Sequence, residues 1–158
     1  MSKSIVTYFS ASGVTAALSK KLAKAIGADC AEIVPAQKYT NADLNWQNDK
    51  SRSSVEMKDR SCRPAIASRI DNMADYDMVF VGFPIWWYRE PSIIDTFMEM
   101  YDFTGKTIVP FATSGGSGLG DSQANMQALA PKAKVVSGRR FSSSASESEL
   151  SEWGKKYI

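Results

Sequence analysis

Apolar and polar positions along the chain fall into two kinds of block, short β-branched and aromatic runs and longer stretches with a 3.6-residue period. The first run, residues 4–9, predicts a strand, and the turn-forming Ser10, Ala11, Ser12 and Gly13 follow it. Behind that turn Val14, Leu18, Leu22 and Ile26 recur at helical spacing, Ala17 and Ala25 widen the stripe, and Gly27 stands at the stop position, so a helix is expected. Residues 30–34 predict a second strand, and Pro64 opens an expected helix carrying Ile66, Ala67, Ile70 and Met73. Residues 78–83 are apolar on both alternating faces, as in a central parallel strand covered on both sides. Pro91 suits the first turn of a helix with Ile93, Ile94, Phe97, Met98 and Tyr101 on its inner side. A fourth strand over 106–112, a helix over 121–130 stopped by Pro131, and a fifth strand over 133–136 follow. Ser146, Glu147, Ser148 and Glu149 read as a capping box before a last helix presenting Leu150, Trp153 and Tyr157.

Five strands alternating with helices imply an α/β architecture, a parallel sheet joined by right-handed crossovers. No repeat or linker divides the chain, so residues 1–158 form one expected domain. The interruption is residues 36–63, twenty-eight residues with ten charges and the lone Trp46. Structureless loops longer than about 12–15 residues are uncommon in compact domains unless functional or disordered. Either an ordered lid beside the site or a solvated excursion is expected there.

Composition narrows the function. The chain has 158 residues, 44% hydrophobic and 23% charged, and nineteen Lys and Arg against seventeen Asp and Glu leave a net charge of +2. Its basic residues cluster no further than pairs such as Lys20-Lys21, which disfavours a nucleic-acid partner. The most apolar stretch, residues 78–88, contains Gly82 and Pro84 and falls well short of the roughly 20 residues of a membrane helix, so no membrane span is expected. The N-terminal residues carry no signal-type apolar segment, and a cytoplasmic setting is expected. Cys30 and Cys62 form no C-x-x-C pair and are expected to be buried or inert thiols. Histidine is absent, which removes the Ser-His-Asp triad, the Cys-His pair and the His-based zinc site. No catalytic residue and no metal ligand is assigned, and a borrowed cofactor fits best.

Ligands of open parallel sheets sit beyond the carboxyl ends of the strands. Three unusual segments fall at such ends. Ser10, Ser12 and Thr15, with amides freed at a helix N-terminus, form a neutral cradle for a phosphate dianion, the helix dipole supplying the positive potential. Capping of the helix is the alternative role for these serines. The segment is neither a P-loop nor a G-x-G-x-x-G fingerprint. Pro84, Ile85, Trp86, Trp87, Tyr88 and Arg89 place three consecutive large aromatics at the mouth of the central strand. At least one must be poorly buried and offers a stacking surface to a planar ligand, unless the indoles pack beneath residues 36–63. Thr113, Ser114, Gly115, Gly116, Ser117, Gly118, Leu119 and Gly120, with four glycines in six residues, bring backbone amides close to a ligand, or form an ordinary turn.

A phosphate cradle, an aromatic stack and a Gly-rich loop together describe a flavin mononucleotide (FMN) site, and here the sequence resembles the flavodoxin family. The most specific piece is the strand and loop of residues 6–15, Val-Thr-Tyr-Phe-Ser-Ala-Ser-Gly-Val-Thr, similar to the family's strand plus T-x-T-G-x-T loop. The resemblance implies a flavodoxin-like three-layer sandwich with a five-stranded parallel sheet of order 2-1-3-4-5 and FMN as the cofactor. It assigns Ser10, Ser12, Gly13, Val14 and Thr15 to the flavin phosphate. It places Pro84 to Tyr88 beside the isoalloxazine, with Trp86 or Trp87 against a face, and Thr113 to Gly118 at the second ring-binding loop. Val14 stands where the family usually shows Asn, which leaves only the backbone amide to contribute. Flavodoxins tend to be strongly acidic, whereas this chain carries +2.

Two functions follow. One is electron transfer through bound FMN between redox partner proteins. The other is an FMN-dependent reductase passing hydride from a nicotinamide to a quinone-type small molecule, with Arg89 near the ring favouring the anionic reduced flavin and residues 36–63 roofing a substrate pocket. A binding module of the same fold without cofactor is the third reading, and the sequence fixes no oligomeric state. A phosphoacceptor receiver domain fails because Phe83 and Pro84 stand where its Asp is needed, and a C-x5-R phosphatase fails because neither cysteine has the required Arg.

Overall fold

Successive residues of a strand face opposite sides of its sheet, and here both sides are apolar. The computed structural model describes residues 3–114 and 118–158. In chain order the elements are β1 (Ser4–Tyr8), α1 (Val14–Ile26), β2 (Asp29–Glu32), α2 (Arg52–Lys58), β3 (Met78–Pro84), α3 (Ser92–Met100), β4 (Thr107–Thr113), α4 (Ser122–Leu129), β5 (Lys134–Val135), β6 (Arg139–Phe141) and α5 (Glu147–Gly154). The strand order is β2-β1-β3-β4-β5, with β6 also paired to β4, and every pairing is parallel. This is the flavodoxin-like α/β sandwich.

Alternation sorts the core into two layers. Val6, Phe80, Val109, Phe111 and Phe141 pack against Leu18, Leu22 and Ile26 of α1 and Leu150 and Trp153 of α5. Ile5, Val79, Val81, Phe83, Ile108 and Ala112 pack on the other face against Ile93, Ile94, Phe97 and Met98 of α3 and Met126 of α4. Trp153 meets Phe80, Phe111 and Phe141 edge-on at 5.8, 6.1 and 5.1 Å, and its truncation to Ala would cost about 3–5 kcal/mol.

The fifth strand of the sequence reading is two pieces, and a proline explains the break. Val136 N–H donates to Ile108 O and Ser114 N–H to Phe141 O, so even-numbered residues of β4 face that edge of the sheet. Pro110 therefore withholds its ladder donor between the two contacts. Opposite it, Gly138 adopts φ 69°, and a Cβ there would run into the Pro110 carbonyl. Only glycine fits. The chain leaves β5, crosses at Gly138 and rejoins β4 as β6, which brings Arg140 to the carboxyl end of the sheet.

Two other expectations change. Residues 64–72 are not helical. Pro35 and Ile66 form an antiparallel bridge, Ala36 N–H donates to Ala65 O and Ala67 N–H to Val34 O, so a neighbouring backbone takes the groups a helix would use. Ile66, Ile70 and Met73 still pack on the core, and a 3-10 turn covers Met73–Asp75. Inside the polar segment lies α2, whose Ser51 N-cap accepts from Ser54 N–H. The segment is anchored by Tyr39 Oη donating to Glu56 Oε1 at 2.5 Å and by Arg52, which bonds Glu56 at 2.9 Å and covers the Tyr39 ring at 3.8 Å. Burial, and then the bond to Glu56, push the Tyr39 hydroxyl up out of the titrating range. Cys30 is exposed on β2 rather than buried, and Cys62 is half-buried. Among the described residues no helix is long and apolar enough to cross a membrane.

Candidate functional site

The turn after β1 delivers Gly13 as the N-cap of α1 with φ 93°, and no side chain caps the helix. Its first turn carries no acidic residue, so free amides and the positive end of the dipole face outward. Gly13 N–H donates to Ser10 Oγ at 3.0 Å, which commits that hydroxyl locally, while Ser12 and Val14 are exposed. Thr15 is buried, and its Oγ1 lies 2.7 Å from Thr113 Oγ1 at the end of β4. The cradle and the third segment are thereby joined.

After β3 the aromatic segment makes a two-residue hairpin. Trp86 and Arg89 exchange backbone hydrogen bonds of 3.1 and 3.2 Å, and the central residues Trp87 and Tyr88 have φ 49° and 65°. Such turns favour Asn-Gly, and a bulky side chain in the left-handed region costs roughly 1–2 kcal/mol per residue. At the tip of this turn Trp87 and Tyr88 are 41% and 76% exposed. Trp86 is half-buried and meets Phe9 and Tyr39 edge-on at 5.7 and 5.5 Å.

Buried polar bonds hold this turn. Arg89 lies beneath it rather than beside a ring: Nη1 donates to Glu90 O at 3.0 Å, and Nη2 to Met57 O at 3.0 Å and to Ser92 Oγ at 3.4 Å. Its guanidinium stands 3.6 Å from both the Glu90 and Asp95 carboxyls. The expected cation over the flavin is therefore a brace between the hairpin and α2, its charge compensated inside the protein. Burial, and then the Asp95 carboxyl, push Glu90 up to about 8, and burial likewise raises Asp95. Both Asp95 oxygens are buried without a hydrogen-bond partner among the described residues, with the Arg89 guanidinium 3.6 Å away. Asn125 Nδ2 donates to Glu90 at 3.0 Å and ties in α4. On the other flank, Gly120 at φ 56° comes so close to the Tyr88 carbonyl that no Cβ fits.

Three strand ends converge on one cleft. Ser12, Val14, Pro84, Thr113 and Ser114 line a cavity of about 360 Å³ together with Arg140, Ser142 and Ser143. Ile85 N–H donates to Thr113 O at 3.4 Å, continuing the β3–β4 ladder to the strand ends. Arg140 Nε donates to Ser114 Oγ and Nη2 to Ser114 O, both at 3.2 Å. Gly115 and Gly116 fall outside the described residues, and Gly118 is exposed. Sequence reasoning missed Arg140, Ser142 and Ser143; the signal was a glycine followed by a short run, residues 138–141, to which no element was assigned. A second cavity, about 500 Å³, lies between the polar segment and the hairpin, lined by Leu44, Trp46, Ser53, Ile85, Trp86, Trp87 and Tyr88. The polar segment is thus an ordered neighbour of the aromatic turn.

No curated protein sequence matches the chain. Among solved structures, a flavoprotein from Bacteroides eggerthii is 47% identical, with a TM-score of 0.92 over 99% of this chain and 98% of that one. A flavoprotein from Bacteroides uniformis is 45% identical, with a TM-score of 0.92 over 98% of each. A flavoprotein from Lactobacillus acidophilus in complex with FMN shares the fold at 21% identity, with a TM-score of 0.73 over 98% of this chain and 99% of that one. A family profile described as flavodoxin matches residues 3–157, and the chain belongs to the flavodoxin family.

Proposed function

We propose that the chain binds FMN non-covalently in the cleft at the carboxyl end of its sheet and carries electrons between protein partners in the cytoplasm. The observation that carries this reading is the convergence of an uncapped helix N-terminus and the ends of β3 and β4 around one cavity, with the exposed aromatics of the hairpin lining a second cavity. The uncapped amides of α1 and Ser12 suit the phosphate dianion. Trp87 and Tyr88, exposed at the tip of the hairpin, suit the planar head. The flavin, when bound, supplies the redox chemistry. The protein grips the phosphate, covers a ring face and presents an apolar rim to partners. A flavoprotein of the same fold crystallised in complex with FMN, and relatives described as flavoproteins, support the cofactor.

The 500 Å³ cavity favours a second reading, an FMN-dependent NAD(P)H oxidoreductase for quinones or similar flat molecules, since an aromatic pocket beside the hairpin suits such an acceptor. Steady-state oxidation of NADPH with a quinone separates the two. Slow turnover that accelerates on adding a flavodoxin reductase supports the carrier, whereas rapid turnover by the purified protein alone overturns it in favour of the oxidoreductase.

A further inference from the structure

We propose that Arg140 is an anion-binding residue of the cleft and pairs with the phosphate of the bound flavin nucleotide. The inference rests on FMN occupying the cleft and adds a charged partner to a cradle that sequence alone described as neutral.

Arg140 arrives from β6, a strand that exists in this place because Gly138 lets the chain pass the donorless Pro110. The residue is half-buried and its guanidinium is fixed by two bonds to Ser114. Among the described residues no carboxylate lies within 4.0 Å of it, while its neighbour Arg139 pairs with Glu149 at 2.8 Å, and Arg52, Arg63 and Arg89 each have acidic partners. A partly desolvated cation without a counter-ion is unfavourable, and a ligand anion removes that penalty. Ser12, Ser142 and Ser143 line the same cavity and supply neutral donors. A guanidinium fork matches phosphate oxygens better than a point charge does. The phosphate, rather than the ring, is the expected partner because Ser12 and Val14, which flank the opening of α1, share the cavity with Arg140.

The test is titration of FMN and of riboflavin, which lacks the phosphate, into wild-type protein, Arg140→Gln and Arg140→Lys, read by flavin fluorescence. Arg140→Gln is expected to weaken FMN about tenfold or more, a loss of about 1.4 kcal/mol, while leaving riboflavin within about twofold. Arg140→Lys keeps the charge and should recover part of the loss. FMN binding should also lose part of its salt dependence in Arg140→Gln. Equal weakening of both flavins, or unchanged FMN affinity in both variants, overturns the inference while leaving the proposed function standing. Wild-type protein that takes up no FMN overturns both.

Discussion

The hydroxyls of Thr15 and Thr113, ninety-eight residues apart, meet at 2.7 Å in a buried contact that couples the opening of α1 to the carboxyl end of β4. Two loops that would each have to order around a ligand are already fixed to one another. Pre-organisation of this kind removes part of the entropic penalty of binding.

Removing either hydroxyl should leave its partner buried without a bond. Thr15→Val and Thr113→Val are each expected to destabilise the protein by about 1–3 kcal/mol, and the double variant by less than the sum. Urea unfolding of the four proteins closes the cycle, and strict additivity would show that the contact couples nothing.

The hairpin at Trp87 and Tyr88 stores strain. Replacing the pair by Asn and Gly supplies residues at ease in the left-handed region and should stabilise the free protein by about 1–3 kcal/mol. The same change removes both exposed rings and should weaken FMN binding. Thermal unfolding of the flavin-free protein together with an FMN titration measures the trade; a less stable variant would show that the aromatic side chains hold the turn.

Acidity should matter through the Glu90 and Asp95 pair. Glu90 keeps its proton in the folded protein up to about 8, far above an ordinary carboxyl, so folding binds a proton that the unfolded chain has released. Stability is then fullest below the ordinary carboxyl range and declines as pH rises from about 5 to 8. Glu90→Gln mimics the protonated acid and should flatten that decline. Unfolding free energies at several pH values test this, and an equally steep decline in the variant would place the titration elsewhere.

The parallel α/β class was legible because short apolar strand runs such as residues 78–83 alternate with segments such as Leu18, Leu22 and Ile26 at the helical period, whereas the sheet order came from the resemblance to flavodoxins. Three features were not legible. The stretch around Ile66 has helical spacing, but Val34 and Ala36 compete for its backbone. The helix α2 buries Ser53, Ser54 and Glu56 beside a single apolar residue, Met57, and so carries no apolar stripe to read. Arg89 looked like a cation beside the ring from its position in the chain; the reversal of direction across Trp87 and Tyr88 sends it under the turn. Within the candidate site the three segments were legible as local chemistry, whereas the arrival of Arg140 depends on a strand break that needs Pro110 and Gly138 opposite one another.

The most direct measurement is the equilibrium binding of FMN to the purified flavin-free protein, followed by absorbance and fluorescence, with riboflavin in parallel. Saturable one-to-one binding, with FMN about tenfold tighter than riboflavin or better, is the expected result, a preference of at least about 1.4 kcal/mol for the phosphate. Absence of any spectral change on adding FMN, or equal affinity for the two flavins, would contradict a phosphate grip at the opening of α1.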